Sequence, residues 1–487
     1  MSTPSTAHHL SEGALGHLGA PIATPAYDRS PLRRSIVHIG VGGFHRAHLA
    51  TYVDELCRGG DRDWSIIGAG VLPGDARMAE VLSSQDHLYT LITRGTDETE
   101  VRVIGSIVDF VHAATDPEPL VGLIADPDTQ IVSLTVTEGG YPIDDTTGAY
   151  APTPATAGPG SAFGAIAAGL ARRRDRDGGP LTILSCDNVI ANGATTRTAT
   201  LGAAAEIDAT LGGWIDDNVT FPNSMVDRIT PATTDADRHR LASDHGIADG
   251  WPVVTEPFRQ WVVEDRFAGD RLPLEQLDVI VTDDVEPYEL MKLRLLNAGH
   301  SCLAYLAALD GIDTVDGALA DPAIRSFLQT FLDREARPTV PPVDGIDLDE
   351  YIASLVERFS NPNVGDQISR LCLDGTAKFP KFLIPTIEKQ LAADGPIELA
   401  ALALAGWCEY LRLGSSPDSS IELSPDPGLD RAVERAVASA DDPAAFLELD
   451  LVFGPALRSG RFADCFRVAL GRLRADGVAS SIEAAIT

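Results

Sequence analysis

Two continuous apolar runs, Gln130-Ile-Val-Ser-Leu-Thr-Val136 and Leu181-Thr-Ile-Leu-Ser185, flank an Ala-rich helical stretch over 162–174. A strand whose polar residues do not alternate with apolar ones must be covered on both faces. Two more such runs stand upstream, Ser35-Ile-Val-His-Ile-Gly40 and Trp64-Ser-Ile-Ile-Gly-Ala-Gly70. Helical patterns follow them over 47–57 and 78–82, and 88–93 and 99–104 read as further strands. Strand–helix alternation of this kind predicts an α/β fold built on a doubly wound, largely parallel sheet.

The pattern changes near residue 285. From Tyr288 onward, Leu/Ala periodicities predict helices over 289–309, 322–335, 348–359, 364–373, 397–413, 431–438, 443–457 and 461–475. At 487 residues the chain has length for two or three domains. We divide it into a flexible, polar lead-in over 1–30, a dinucleotide-binding domain over 31–285, and a mostly α-helical substrate domain over 286–487.

A formal net charge of −33 argues against nucleic acid and anionic membrane surfaces, which select Lys/Arg clusters. The six cysteines are scattered without CxxC or metal-ligand spacing, which points to reduced thiols in a cytoplasmic protein. The first 30 residues lack the apolar core of a signal peptide. No apolar run reaches the about 18 residues of a membrane span. No coiled-coil heptad is present, and a monomer is expected.

Gly40-Val41-Gly42-Gly43-Phe44-His45-Arg46 joins the first strand to a helix. Glycines at such a turn let the backbone approach a pyrophosphate, and the helix N-terminus offers unpaired N–H groups to it. The pattern departs from the GxGxxG fingerprint at its sixth position, His45, so a tight structural turn remains an alternative. Asp75, shortly after the second strand, suits a ribose hydroxyl or a solvated turn equally well. At the ends of later strands stand Thr135-Val-Thr137-Glu138-Gly-Gly-Tyr141, Cys186-Asp-Asn188 and Phe221-Pro-Asn-Ser-Met-Val-Asp227-Arg228. Each alone reads as turn chemistry. Together, at successive strand ends, they read as one ligand crevice.

Lys292-Leu-Arg-Leu-Leu-Asn297-Ala-Gly-His300 carries an amine, an amide and an imidazole on one predicted helix. At about 100° per residue, Asn297 falls roughly 140° from Lys292, and His300 roughly 80°. Leu290, Met291, Leu293, Leu295, Leu296 and Leu303 surround them. A lysine desolvated in this way becomes a usable base near neutrality. Glu289 reads either as its i,i+3 ion-pair partner or as a proton path to solvent. Arg370 and Lys378 offer cationic donors. No His/Cys/carboxylate set has metal-ligand spacing.

These segments resemble the mannitol dehydrogenase family of polyol-specific long-chain dehydrogenases, over residues 33 to 480. The likeness is carried by Gly40-Val-Gly-Gly-Phe-His-Arg-Ala-His48, Thr135–Tyr141, Cys186-Asp-Asn188, Phe221–Arg228, Asp374-Gly-Thr-Ala-Lys-Phe-Pro-Lys-Phe-Leu383 and, most specifically, Lys292-x4-Asn297-x2-His300. The resemblance implies a Rossmann-type N-terminal domain and a helical C-terminal domain, with the site between them. It implies NAD-dependent, metal-free interconversion of mannitol and fructose by hydride transfer at C2. Lys292 matches the family's general base, Asn188 and Asn297 its oxyanion-holding amides, and Glu289 its proton path. Asp227, His300, Arg370 and Lys378 match substrate-binding positions, and Gly40, Val41, Gly42, Gly43 and Phe44 lie in the cofactor loop, with Asp75, Thr137 and Glu138 as further cofactor candidates. A sister activity on fructuronate, arabinitol or sorbitol stays open, as does NAD against NADP.

Overall fold

The computed structural model describes residues 7–33, 35–144 and 147–487. Its contacts divide the chain into two compact units, Met1–Glu286 and Pro287–Thr487.

The first unit is built on a six-stranded sheet. Its strands are β1 (Ile36–Ile39), β2 (Ile66–Gly70), β3 (Ile107–His112), β4 (Ile131–Leu134), β5 (Leu181–Ser185) and β6 (Val219–Thr220). They lie in the order β3-β2-β1-β4-β5-β6, all parallel. This is the doubly wound dinucleotide-binding order. Each strand feeds both faces by simple alternation. Ile36, Ile131 and Leu184 enter one core cluster with Ala50, Tyr52 and Leu56 of helix α2 (Leu49–Gly59). Val37, Val132 and Ile183 enter the other, with Phe163, Ile166 and Leu170 of helix α3 (Ala162–Asp175). Every one of these side chains is buried, and each Val, Leu, Ile and Phe among them contributes about 1.5–3 kcal/mol.

His38 is the one imidazole inside strand β1. Burial pushes its pKa down to about 3, so it stays neutral. Its ring nitrogens lie 2.8 Å from Ser133 Oγ and 2.9 Å from Thr135 Oγ1, both on the β4 segment. The polar residue in an apolar strand is therefore satisfied by its neighbour strand.

Two three-stranded sheets and one two-stranded pair accompany the large one. Tyr89–Arg94 pairs with Thr99–Ile104 and Val253–Thr255, and Gln260–Glu264 joins Ser224–Asp227 to Ile280–Thr282. The last four short strands were not expected, because three to five residues leave too little periodicity to read.

The flexible lead-in expected over 1–30 needs correction over its described part, and residues 1–6 lie outside the described residues. His8–His9 pairs in parallel with Ile247–Ala248. Ala23 exchanges hydrogen bonds with Val101 and Val103, and Tyr27 donates to Asp54 at 2.6 Å. Leu10 is wholly buried. Apolar anchors spaced among polar residues hold the segment against the sheet.

The second unit is helical. Its long members are Ala298–Leu309, Leu348–Phe359, Glu398–Gly414 and the segment Gly460–Ile486, which is two helices joined at a kink at Gly477. Tyr305, Phe379, Trp407 and Phe446 interlock at its centre. The helix expected over 443–457 is broken into 3₁₀ turns, Pro443–Glu448 and Pro455–Leu457, because prolines cannot continue the hydrogen-bond ladder. Helices Gly375–Phe382 and Ile384–Ala392 were not foreseen.

Strand β1 ends at Gly40, whose φ is +95°. A Cβ there would stand 2.2 Å from the carbonyl oxygen of Thr135. Gly40→Ala is therefore expected to lower unfolding free energy by at least about 1–3 kcal/mol from backbone strain alone. A shift in the urea midpoint would check this, and an unchanged midpoint would contradict the packing described.

Candidate active site

The expected site residues fall in two groups, one in each unit. In the first unit all but Asp227 follow the C-terminal ends of parallel strands of the large sheet, and Asp227 ends the antiparallel-paired strand Ser224–Asp227 of a separate sheet. Strand order reverses between β1 and β4, and a crevice opens where the connections leave in opposite directions. The Gly40–Phe44 turn follows β1, and Thr137 and Glu138 follow β4. Asn188 follows β5, and Asp75 follows β2.

Within the glycine turn the residues have different jobs. Gly40 allows the close approach to Thr135. Gly42 is exposed, and no side chain stands within 4 Å of the Cβ it lacks. Val41 is buried against Gly68 and offers only backbone. Phe44 stacks on His48 with ring centroids 5.0 Å apart. His45, the departure from the fingerprint, lies flat on His38 at a centroid distance of 3.4 Å. A planar ring thus achieves the close helix–strand packing that a third glycine allows elsewhere. Burial holds His45 well below its usual pKa.

Asp75 accepts the Leu72 N–H at 2.9 Å, closing its own turn.

The chain beyond β4 is held by a residue not singled out from sequence. Asp187 is buried and accepts from the N–H of Thr137 at 2.8 Å, the N–H of Val136 at 3.2 Å, and the hydroxyl of Tyr141 at 2.9 Å. Burial raises its pKa, and these three donors work against that rise. Thr137 sits at φ 62°, ψ 169°, a region occupied almost only by glycine. Asp187 supplies the hydrogen bonds that hold this strained residue in place. The Asn192 amide then donates to the Asp187 and Ser224 carbonyls at 3.1 and 2.8 Å. Ser224 opens the strand Ser224–Asp227, so this chain of bonds links the loop after β4 to the strand that ends in buried Asp227.

In the second unit, Lys292, Asn297 and His300 lie on one unbroken helical path. Its middle turn, Lys292–Asn297, is a π-helix between α-helical segments Glu286–Met291 and Ala298–Leu309. The Ala298 N–H reaches back five residues to the Leu293 carbonyl. The roughly 140° separation expected between Lys292 and Asn297 assumed α-helical winding. Hydrogen bonding to the fifth residue makes residues five apart near neighbours along the axis, so the amide is carried round towards the amine. Lys292 and His300 are buried, and Asn297 is half-buried. His300 stacks on Phe359, centroids 3.9 Å apart at 16°. Glu289 is half-buried one turn before Lys292.

Arg370 is gripped by Asp366, another residue missed from sequence, although its i,i+4 spacing was a usable signal. Lys378 donates to the Leu371 carbonyl at 3.3 Å. Among the described residues, no group of three or more His, Cys, Asp or Glu stands where it could hold a metal ion. No helix among them is long and apolar enough to cross a membrane.

Two family models match the chain. The mannitol dehydrogenase Rossmann domain matches residues 34–276 and the mannitol dehydrogenase C-terminal domain residues 284–471.

The chain belongs to the mannitol dehydrogenase family.

A mannitol 2-dehydrogenase from Cereibacter sphaeroides is 44% identical over 466 residues, covering 94% of this chain and 97% of the relative. One from Phaeosphaeria nodorum is 41% identical over 474 residues, covering 95% and 83%. Among solved structures, the Pseudomonas fluorescens mannitol 2-dehydrogenase in ternary complex with NAD and D-mannitol superposes with a TM-score of 0.91 at 42% identity, covering 98% of this chain and 99% of that one. A D-sorbitol dehydrogenase in substrate-free form gives 0.85 at 34% identity, covering 97% and 100%.

Removing the Asp187 carboxylate strands two backbone donors and leaves the Tyr141 phenol to Ser185. Asp187→Ala is expected to cost about 1–3 kcal/mol and to speed amide exchange at Thr137. Urea denaturation and hydrogen exchange would measure the two effects.

Proposed function

We propose that this protein is an NAD-dependent, metal-independent polyol dehydrogenase that interconverts D-mannitol and D-fructose at C2. The observation that carries the reading is the π turn, which gathers a buried amine and an amide on one side of one helix, with His300 one turn beyond. Relatives named mannitol 2-dehydrogenase, aligned over nearly the whole chain, support the substrate. The P. fluorescens complex with NAD and D-mannitol supports both substrate and cofactor.

The first unit fits a dinucleotide. The strand order is right, the reversal point falls between β1 and β4, and Gly42 leaves its side open where a side chain would stand. The Gly40–Phe44 turn would hold the pyrophosphate, with Thr137 and Glu138 beside it. Bound NAD supplies the two-electron acceptor for oxidation at C2.

The chain's own residues handle the proton and the oxygen. Lys292, as the free amine, takes the proton from the C2 hydroxyl. Asn188 and Asn297 donate hydrogen bonds to the oxygen as negative charge grows on it, each worth about 2.7–4 kcal/mol at the transition state. His300 orients the same oxygen, and its ring plane is set by Phe359. Glu289 passes the proton on towards solvent. Asp227, Arg370 and Lys378 hold the remaining hydroxyls. An amine and two amides thus do what a Lewis-acidic metal does in other alcohol dehydrogenases. All six cysteines are free thiols, which supports a reducing, cytoplasmic setting.

Lys292→Ala is expected to lower kcat by about 10²–10⁴-fold while NADH binding, followed by fluorescence titration, is retained. Near-normal turnover would remove Lys292 as the base. Mannitol oxidation should survive a chelator; its abolition would contradict the metal-independent mechanism. A panel of mannitol, arabinitol, sorbitol, fructose and fructuronate with NAD and NADP tests the substrate and the cofactor together.

A further inference from the structure

Arg370 lies four residues after Asp366, on the short helix Ile368–Leu371. Its Nε and Nη2 donate to the two carboxylate oxygens of Asp366 at 2.6 and 2.5 Å. This takes up the side-on edge of the guanidinium, one of the edges with which arginine grips a carboxylate through two parallel hydrogen bonds. The anion is deeply placed and the cation is more open: the side chains are 6% and 40% exposed, respectively. Burial works against ionisation of Asp366, but hydrogen bonds and charge from Arg370, with a contribution from nearby His300, outweigh it and hold the carboxyl below its usual range. The pair is therefore ionised and internally neutral. An incoming carboxylate would meet an arginine already engaged and a fixed negative charge behind it. A hydroxyl needs only a donor, and guanidinium N–H groups not used by Asp366 supply one.

We propose that Asp366 is a specificity-determining residue. Paired with Arg370, it gives that part of the substrate site hydrogen-bond donors without net charge, so that neutral polyols and ketoses are favoured over sugar acids. The inference rests on the polyol dehydrogenase reading above and names what that reading leaves open, the choice between a ketose and a uronate.

The test compares the purified full-length enzyme with Asp366→Asn and Asp366→Glu, using fructose and fructuronate as substrates for NADH oxidation. Asp366→Asn is expected to raise the fructuronate-to-fructose ratio of kcat/KM by about tenfold or more, since it removes a like charge beside the substrate carboxylate. The gain should shrink as salt screens the charge, and Asp366→Glu should restore the wild-type ratio. Equal losses on both substrates, with the ratio unchanged, would reduce Asp366 to a structural residue and overturn the proposal while leaving the polyol assignment intact. A wild-type enzyme that prefers fructuronate would instead overturn the assignment itself. Should Asp366→Asn not fold, binding to the wild-type enzyme decides. A six-carbon aldonate should compete more weakly than the matching hexitol at every salt concentration, and tighter aldonate binding would refute the inference.

Discussion

The architecture of the first unit turns on how closely two neighbouring parallel strands approach at their ends. Gly40 brings the end of β1 against the Thr135 carbonyl, with no room for a methyl group. His38 ties the same two strands from inside the sheet through Ser133 and Thr135. The strand order reverses at this seam. Connections leave it in opposite directions, and the opening between them receives the glycine turn, strained Thr137 and the loop carrying Asn188. From the segment after β5, Asp187 then pins the far side of the loop after β4. The neutral imidazole and the missing side chain are thus two parts of one constraint.

Local pattern was enough where a residue's environment is set by its own element. Strands β1, β2, β4 and β5 were legible because strands covered on both faces are apolar throughout. The polar residues at their ends were legible because chemistry on an open sheet gathers there. What escaped was set by distant partners. Asp187 reads as an ordinary turn residue until Val136, Thr137 and Tyr141, far earlier in the chain, are placed on its carboxylate. Residues 7–30 read as a free lead-in until Ile247, Val101 and Asp54 supply their partners. The π turn escaped for another reason. Leu290, Met291, Leu293, Leu295 and Leu296 leave the helix apolar almost all round, and a helix without a polar face carries no phase from which its winding can be read.

Three buried carboxyl groups, one in the first unit and two in the second, are each met by protein donors. Asp187 is met by backbone and phenolic donors, and Asp366 by a guanidinium. Glu335, buried in a second π turn over Leu332–Ala336, accepts the Leu399 and Ala400 N–H groups at 2.7 and 2.8 Å, at the start of helix Glu398–Gly414. In each case an ionisable group fixes a neighbouring segment. Hydrophobic packing supplies the bulk of the stability, and these satisfied polar contacts specify which packing is adopted.

The extra residue in the Lys292–Asn297 turn has a consequence for how such a helix can change. A π turn amounts to one residue inserted into an α-helix, and it is retained despite poorer hydrogen-bond geometry. Deleting any one residue of Leu293–Leu296 would let the ladder close regularly and relieve that cost. It would also swing the amide away from the amine and rotate everything beyond it, the imidazole included, by about a hundred degrees. The three side chains are thus kept in phase by a turn that a regular helix would not contain.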